Sequence, residues 1–409
     1  MMNKKIISIK LTNLIVASLI SIFPLLSYAG DAPTPTGTDN VATETPMDPK
    51  SPVIPDTGSN FHVTGFLSVI GGNIFNGSYP PNYIASGGPT QLIGVNCPCY
   101  YADYSNGGVY GPNFSLKPES HAGVQIKYDF SPQFNFVGQV TVRGTDNDPN
   151  IQWAYVDYKL NDHWEIHVGR QRIPLYYYSP FQDVGFAIPW VAVPPELYGW
   201  EATNYDGASL RYSNSFGNTN FTSSIYSGGE KLGYSAFYTN PGDTDVHWNN
   251  IVGADAEINN GPLTLRLVYL QANTLAINIP QGLDSASKIE AYGLAVNLDF
   301  DTWFMLSEVT QLTRDYGSVQ AKQTDPASTI GVGYRLGKWT PFVNYALFTQ
   351  HSSPYTPSDE FAYKRASLTL RYDIDSSSDI KTQVDRNWDT TNTSGGNVNV
   401  VRVSYDRVF

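Results

Sequence analysis

The sequence predicts an all-β chain, closed into a transmembrane antiparallel β-barrel of about sixteen strands. Three observations carry this. Short segments alternate apolar and polar residues with period two almost to the end of the chain. The connectors between them alternate long and short. The composition holds 28 Tyr, 8 Trp and 35 Gly with only 15% charged residues, yet a mean hydropathy of −0.27. Past residue 29 no apolar run approaches the ~18 residues of a membrane helix. In a barrel only every second residue meets lipid, so low mean hydropathy and a membrane-spanning chain are compatible. A soluble sandwich or propeller shares the composition but has no reason for the long–short alternation.

Along the chain, residues 1–29 read as a secretory signal. Lys4, Lys5 and Lys10 precede an apolar stretch from Leu14 to Leu26, and Ser27-Tyr28-Ala29 is a small-x-small cleavage site. Removal of those three lysines leaves 22 basic against 37 acidic side chains, a net charge of −15, which argues against nucleic acid as a partner. Residues 30–59 are rich in Pro, Thr and Asp without periodicity, and read as a flexible periplasmic lead-in. The barrel is expected over 60–409.

Its segments are 60–73, 119–131, 133–144, 150–161, 163–172, 205–213, 218–227, 248–258, 262–272, 287–299, 302–312, 327–336, 339–350, 361–374, 378–387 and 397–409. Short connectors such as Ser131-Pro132-Gln133, "NDH", "NSFGN", "NNGP", "DFDT" and "LGKW" fall at one end. Long ones, including 74–118, 173–204, 228–247 and 273–286, fall at the other. Short periplasmic turns and long external loops have this asymmetry, and an even strand count puts both termini on the periplasmic side.

Alternation also sorts the faces. Ala122, Val124, Ile126, Tyr128 and Phe130 point to lipid; Gln125, Lys127 and Asp129 point inward. Phe134, Phe136, Val140 and Val142 point out, with Gln139, Thr141 and Arg143 inward. Leu263, Leu265, Leu267 and Tyr269 oppose Arg266, and Leu368, Leu370 and Tyr372 oppose Arg365, Arg371 and Asp373. A charge on the lipid face costs about 2–4 kcal/mol at mid-membrane, which constrains these assignments. The interior is therefore expected to be polar, rich in Arg and aqueous.

The cysteines, Cys97 and Cys99, rule out a disulfide scaffold. Two residues apart, they make a strained bridge at best, and no further ligands stand nearby for a metal, so they read as a loop feature without chemistry. No metal or other cofactor is expected.

The ending "NVVRVSYDRVF" puts Val401, Val403, Tyr405 and Phe409 on one face and Arg402, Ser404 and Asp406 on the other. A last strand of this kind with a terminal Phe resembles the assembly signal of bacterial outer-membrane proteins. The resemblance implies recognition of Tyr405 and Phe409 by the barrel assembly machinery. Arg407 departs from the apolar residue usual at the third position from the end; near the rim an Arg can reach headgroups or water.

The connector 173–204 holds Pro174, Pro180, Pro189, Pro194 and Pro195 with Phe181, Phe186, Ile188, Trp190 and Leu197. Proline stiffens it, and its apolar side chains seek burial, most simply against the barrel wall. The local pattern "VGRQRIPLYYYS … DVG … PWV … PPELYG" resembles Gram-negative porins of the general trimeric type over about 45 residues. The resemblance implies an outer-membrane homotrimer among lipids and lipopolysaccharide, with the third loop folded into the lumen, passing small hydrophilic solutes. Loop acids Asp183, Glu196 and Glu201 are then expected to face wall bases Lys127, Arg143, Arg170, Arg172, Arg365, Arg371 and Arg402 across an eyelet. The inward Arg set points to anions, against inward Asp129, Asp157, Asp255, Glu257 and Asp373.

Two other classes compete. An outer-membrane enzyme needs a nucleophile, base and orienting group at one place. His121, His163, His167, His247 and His351 are scattered, and no G-x-S-x-G elbow occurs. A surface adhesin would use the 74–118 loop, which equally suits a latch on a neighbouring subunit. A channel selective for phosphate, sugars or carboxylates is the closest alternative to unselective diffusion.

Overall fold

The computed structural model describes residues 60–79, 97–146, 148–233, 244–279, 282–317, 322–355, 360–391 and 395–409. The expected signal peptide, the lead-in over 30–59 and residues 80–96 of the first long connector lie outside them. The strands are β1 (Phe61–Ser78), β2 (Tyr100–Asp103), β3 (Gly108–Tyr110), β4 (His121–Ser131), β5 (Phe134–Arg143), β6 (Asn150–Lys159), β7 (Trp164–Arg172), β8 (Asn204–Phe216), β9 (Thr219–Leu232), β10 (Thr244–Asn260), β11 (Leu263–Asn278), β12 (Leu283–Asp299), β13 (Trp303–Asp315), β14 (Lys322–Tyr334), β15 (Trp339–Ser353), β16 (Phe361–Asp373), β17 (Ser378–Asp389) and β18 (Asn397–Val408). Sixteen of them close into one antiparallel barrel in chain order, and β2 with β3 forms a separate hairpin. Each predicted segment corresponds to one barrel strand.

The barrel closes where β1 meets β18, in a register running from Phe66↔Val408 to Ser78↔Asn397, while β1 pairs β4 on its other side from Phe61↔Tyr128 to Ser68↔His121. The chain end takes part. Gly65 N–H donates to the Phe409 carbonyl at 2.7 Å, and Phe409 N–H returns a bond to Gly65 at 2.9 Å. The Phe409 ring lies over Gly65, so close that a Cβ there would sit 2.4 Å from Cε2. The terminal aromatic is thus the clasp of the seam.

The face assignments hold. Val124, Ile126, Phe130, Val140, Val142, Leu267, Leu368, Leu370 and Val403 are exposed on the outside, while Gln139, Thr141, Arg266, Arg365 and Arg402 are buried within. At the short-turn end the outward aromatics touch in pairs. Ring centroids lie 4.8 Å apart for Tyr128–Phe130, 5.1 Å for Phe130–Phe134, 4.8 Å for Trp164–Tyr212, 4.7 Å for Phe300–Trp303 and 4.6 Å for Trp339–Tyr372. This is an interfacial aromatic girdle, amphipathic rings placed where hydrocarbon gives way to headgroups.

Two expectations need correction. First, strands at the long-loop end run further than the alternation indicates: β9 to Leu232, β10 from Thr244, β11 to Asn278, β12 from Leu283 and β14 from Lys322, so the expected long connector 273–286 shrinks to 279–282. Second, the interior is not uniformly polar. On β11 the first outward residues past Tyr269 are Gln271 and Asn273, before Leu275 and Ile277, while Leu270, Ala272 and Ala276 turn inward with Thr274 and are buried. Val246, Trp248, Ile251, Ile289, Ala291 and Leu312 do the same on neighbouring strands. Beyond the membrane the wall is polar outside and apolar inside. The period is unchanged, but its phase is reversed, and a pattern of apolar-out residues ends there.

Substituting Gly65→Val should push the Phe409 ring off the seam and cost about 1–3 kcal/mol, the usual penalty of overpacking. Urea unfolding in lipid vesicles, followed by heat-modifiable gel mobility, should show the loss. Phe409→Ala should cost less in the Gly65→Val background than in the parent.

Candidate functional site: two loops docked on a charged inner wall

The reversed half of the wall has an occupant. Loop 3, residues 173–203, leaves β7 and returns to β8. It contains 3-10 turns at Ser179–Phe181 and Gly185–Ala187 and one short helix, α1 (Pro195–Tyr198). Its Ile173, Leu175, Tyr176, Tyr178, Ile188, Trp190, Leu197, Tyr198 and Trp200 form one buried cluster with Val246, Trp248, Leu270, Ile289, Leu312 and Phe342 of the wall. The Trp190 ring meets Phe342 edge-on at 5.2 Å, and Trp200 meets Trp248 at 5.7 Å.

Polar contacts then fix where the loop lies. Arg143 Nη2 donates to Asp183 at 2.8 Å and Arg172 Nη2 to its other oxygen at 2.6 Å. Arg365 grips Glu196 with Nε at 2.9 Å and Nη2 at 3.0 Å, a bidentate fork in which both side chains are fully buried. Arg314 Nη2 reaches Glu201 at 2.8 Å. Arg371 donates to the Phe186 carbonyl at 2.7 Å and stands over the Phe186 ring, and Lys381 donates to the Gly185 carbonyl. Glu308 on β13 accepts from Tyr177 N–H at 2.9 Å and from the Tyr198 hydroxyl at 2.7 Å. Gly185 has no room for a side chain: a Cβ would lie 2.1 Å from Asp406 Oδ1.

Loop 1, residues 79–120, also turns inward over its described part. Tyr100, Ala102 and Tyr110 of the β2–β3 hairpin are buried with Ile74, Val398 and Val400 of the wall. A Cys97–Cys99 disulfide sits at the hairpin's foot, where the sequence suggested cysteines without chemistry. Glu119 receives Arg402 Nη1 at 2.6 Å, the Arg402 guanidinium lies 5.3 Å from the Tyr100 ring, and Ser105 donates to the Trp200 carbonyl of loop 3.

Between the loops runs a buried chain of alternating charge. Glu119 meets Arg402, Arg402 meets Asp385 at 2.9 Å, Asp385 meets Arg365 at 2.9 Å, and Arg365 meets Glu196. Burial alone would raise the Asp183 carboxyl, but Arg143, Arg172 and His121 outweigh it and hold the group well below the usual carboxylate range. Glu119 goes the other way, raised by burial despite Arg402.

Six of the ten candidate site residues therefore meet in two groups: Asp183 with Arg143 and Arg172, and Glu196 with Arg365 and, through Asp385, Arg402. Arg371 reaches loop 3 at the Phe186 backbone and ring, not at an acid, and Glu201 pairs with Arg314, which was not a candidate. Two stand apart. Lys127 lies six residues down β4 from His121, ~20 Å at strand rise, and pairs with Asp129 at 3.2 Å. Arg170 is claimed by Glu230 on β9, with two bonds of 2.7 Å, and by Asp206. Asp183 and Glu196 are in direct contact with their arginines, where apolar packing draws the loop against the wall. Sequence reasoning missed Glu119, Glu308, Arg314, Lys381 and Asp385. The polar residue at every second place of "SDIKTQVDRNWD" was the signal for the last two.

Among known proteins the resemblance is one of shape. No protein-family model and no curated protein matches the chain. Solved structures do. The anion-selective porin from Comamonas acidovorans superposes with a TM-score of 0.54 at 14% identity, covering 85% of this chain and 99% of that one. The outer membrane channel DcaP of Acinetobacter baumannii gives 0.54 at 13% identity, covering 85% and 97%. A trimer form of OmpT, an outer membrane protein of Vibrio cholerae, gives 0.53 at 10% identity, covering 85% and 99%. At such identities the likeness establishes the fold, a closed sixteen-strand porin-type barrel. That barrel, with its apolar outer belt, fits a multi-pass protein of the outer membrane.

Breaking the Arg365–Glu196 fork on one side should strand a buried charge. Glu196→Gln and Arg365→Met are each expected to destabilise the barrel by about 3–5 kcal/mol in urea unfolding, and the double variant by less than either. Asp183 contributes stability above the usual carboxylate pKa and loses it only as pH falls through its own lowered value. Protease protection of loop 3 should accordingly persist at mildly acidic pH in the parent and weaken at all pH values in Asp183→Asn.

Proposed function

We propose that the chain is an outer-membrane channel through which ions and small hydrophilic solutes diffuse passively, narrowed by loop 3. One observation carries the reading. Loop 3 packs against the apolar half of the wall, and the opposite half stays polar and partly exposed. Gln125, Lys127, Asp157, His167, Arg211, Thr222, Asp255 and Glu257, on β4 and β6 to β10, border that side. A ring of sixteen strands is wide enough for a loop and a water path side by side. The reading assigns no catalytic step to the chain.

Selectivity for anions is the second reading, and a local imbalance favours it. Two guanidiniums, Arg143 and Arg172, share one ion-paired carboxylate, Asp183, with Asp103 and Asp146 acting on Arg143 without direct contact. Both guanidiniums are nearly buried, so a passing carboxylate or phosphate would meet them through their field rather than by direct contact. Inward Asp157, Asp255 and Glu257 lie further along and oppose this.

The surroundings follow from the same reading. The signal peptide sends the chain across the inner membrane, and the strand ending in Tyr405 and Phe409 is read by the barrel assembly machinery. The belt meets outer-membrane lipids and lipopolysaccharide, and three copies assemble as a homotrimer with the long loops external.

Purified protein in planar bilayers should give stepwise conductance; a silent, folded barrel would overturn the proposal. Under a salt gradient the reversal potential should report anion preference. Arg143→Gln with Arg172→Gln should lower the anion-to-cation permeability ratio roughly two- to fivefold.

A further inference from the structure

One group of side chains on the open half of the inner wall has no part in docking the loops. Asn135 on β5, Asp157 on β6 and His167 on β7 are successive register partners, so a single inward row crosses three strands. Glu165 stands two residues before His167 on β7 and shares its face. One ligand atom from each of Asp157, Glu165 and His167 lies within 4.8 Å of the others. Among the described residues no other three side chains of His, Cys, Asp or Glu converge so closely. The row lies just inside the short-turn rim: Asp157 is two residues from the end of β6, and Glu165 one from the start of β7.

What meets there is mostly acceptors. Asp157 Oδ1 is shielded from solvent and has no hydrogen-bond partner in the protein. Asn135 is buried, and its amide is best satisfied with the nitrogen turned to Asp129 and to the Phe134 carbonyl. Its oxygen then takes the position 3.4 Å from Asp157 Oδ2, acceptor against acceptor. His167 Nε2 is 3.7 Å from Glu165 Oε2, beyond hydrogen-bond range. Tyr155 stacks on the imidazole, with centroids 5.3 Å apart, and holds its plane. Two cations stand by, both on the Glu165 side. Lys159 lies 4.0 Å from the other Glu165 oxygen, Oε1, and Arg211 is the register partner of Glu165 on β8. Lone pairs of an amide, two carboxylates and an imidazole that face one another are stabilised by a cation among them.

We propose that Asp157, Glu165 and His167, with the Asn135 amide oxygen, bind one divalent transition-metal ion of the zinc type on the lumen wall. The donor set decides the class. An imidazole with carboxylates suits zinc and its neighbours, whereas calcium and magnesium take all-oxygen sets. Donors at ~2.0–2.2 Å from a tetrahedral zinc ion lie roughly 3.3–3.5 Å apart, so the group closes on the ion by side-chain shifts of about 1 Å. The two carboxylates neutralise the ion. His167 is 16% and Glu165 26% exposed in their side chains, so the ion enters from the water of the lumen. The site stands whether or not the barrel conducts.

Equilibrium dialysis of the folded protein in micelles against zinc, at about pH 7.5 where histidine is neutral, should show one saturable site per chain. Asp157→Asn and His167→Gln should each weaken it by roughly tenfold or more. His351→Gln, which removes the distant His351–Glu360 pair, should leave it unchanged. Heat-modifiable gel mobility checks that each variant is folded, and Glu165→Gln takes the place of one that is not. Calcium in equal concentration should not displace the zinc. No saturable uptake, equal uptake by His167→Gln, or displacement by calcium would overturn the proposal and leave water as the bridge between the acceptors.

Discussion

A closed ring of strands obliges every inner side chain to alternate with an outer one, and the rest of this molecule is a response to that constraint. In hydrocarbon the ring must satisfy all its backbone groups, so it has no free edge, and β1 and β18 are joined down to the last residue. The outer set must be apolar there, and the inner set is free to be polar. Past the membrane the outer set must be polar, and the inner set is free to be apolar. The chain uses that second freedom from β9 to β15, building a half-cylinder of Val246, Trp248, Ile251, Leu270, Ile289 and Leu312. Loop 3 is the matching piece. Neither surface is stable in water alone, so wall extension and loop form one packing unit.

Apolar packing has no direction, and it would let the loop slide. The charges remove that freedom. Taking an ion out of water costs several kcal/mol, and a buried pair seldom stabilises more than a hydrophobic pair of the same volume would. The gain is in geometry: Arg365 accepts only a planar carboxylate in one orientation, and Glu196 supplies it from α1. Asp385 lies between Arg365 and Arg402 and couples that fork to Glu119. One strand, β17, thereby sets the position of both loops.

The sequence was most legible where one rule acts alone. All sixteen barrel strands follow from period two and connector length, because lipid enforces the contrast. The strand extensions were not legible. Past Tyr269 the contrast between faces reverses, and a pattern read for apolar-out ends where the phase changes. Most wall arginines could be named because charge inside a lipid-sealed tube is conspicuous, and the three loop acids because the connector resembles the third loop of trimeric porins. Lys127 and Arg170 were misplaced for different reasons. Distance along a strand separates the first from the loop, and a cross-strand acid, Glu230, captures the second. Loop 1 was opaque, since Tyr, Gly and Asn suit exposed and buried hairpins alike. Its inward fold rests on Tyr100 and Tyr110 finding Ile74 and Val400, partners more than 25 residues away at least.

A tube that closes by alternation and narrows by packing has few places where a small change can act. The apolar cluster yields only as a whole, and the Arg forks are charged across the physiological range. The junction of loop 1 and loop 3 follows the same rule. It is tied at more than one place, His121 Nε2 lying 2.7 Å from the Asp183 carbonyl oxygen and Ser105 donating to the Trp200 carbonyl. Arg402 holds Glu119 and the arginine pair holds Asp183 on either side of it. The constraint that makes the barrel rigid thus reaches the loops at its mouth.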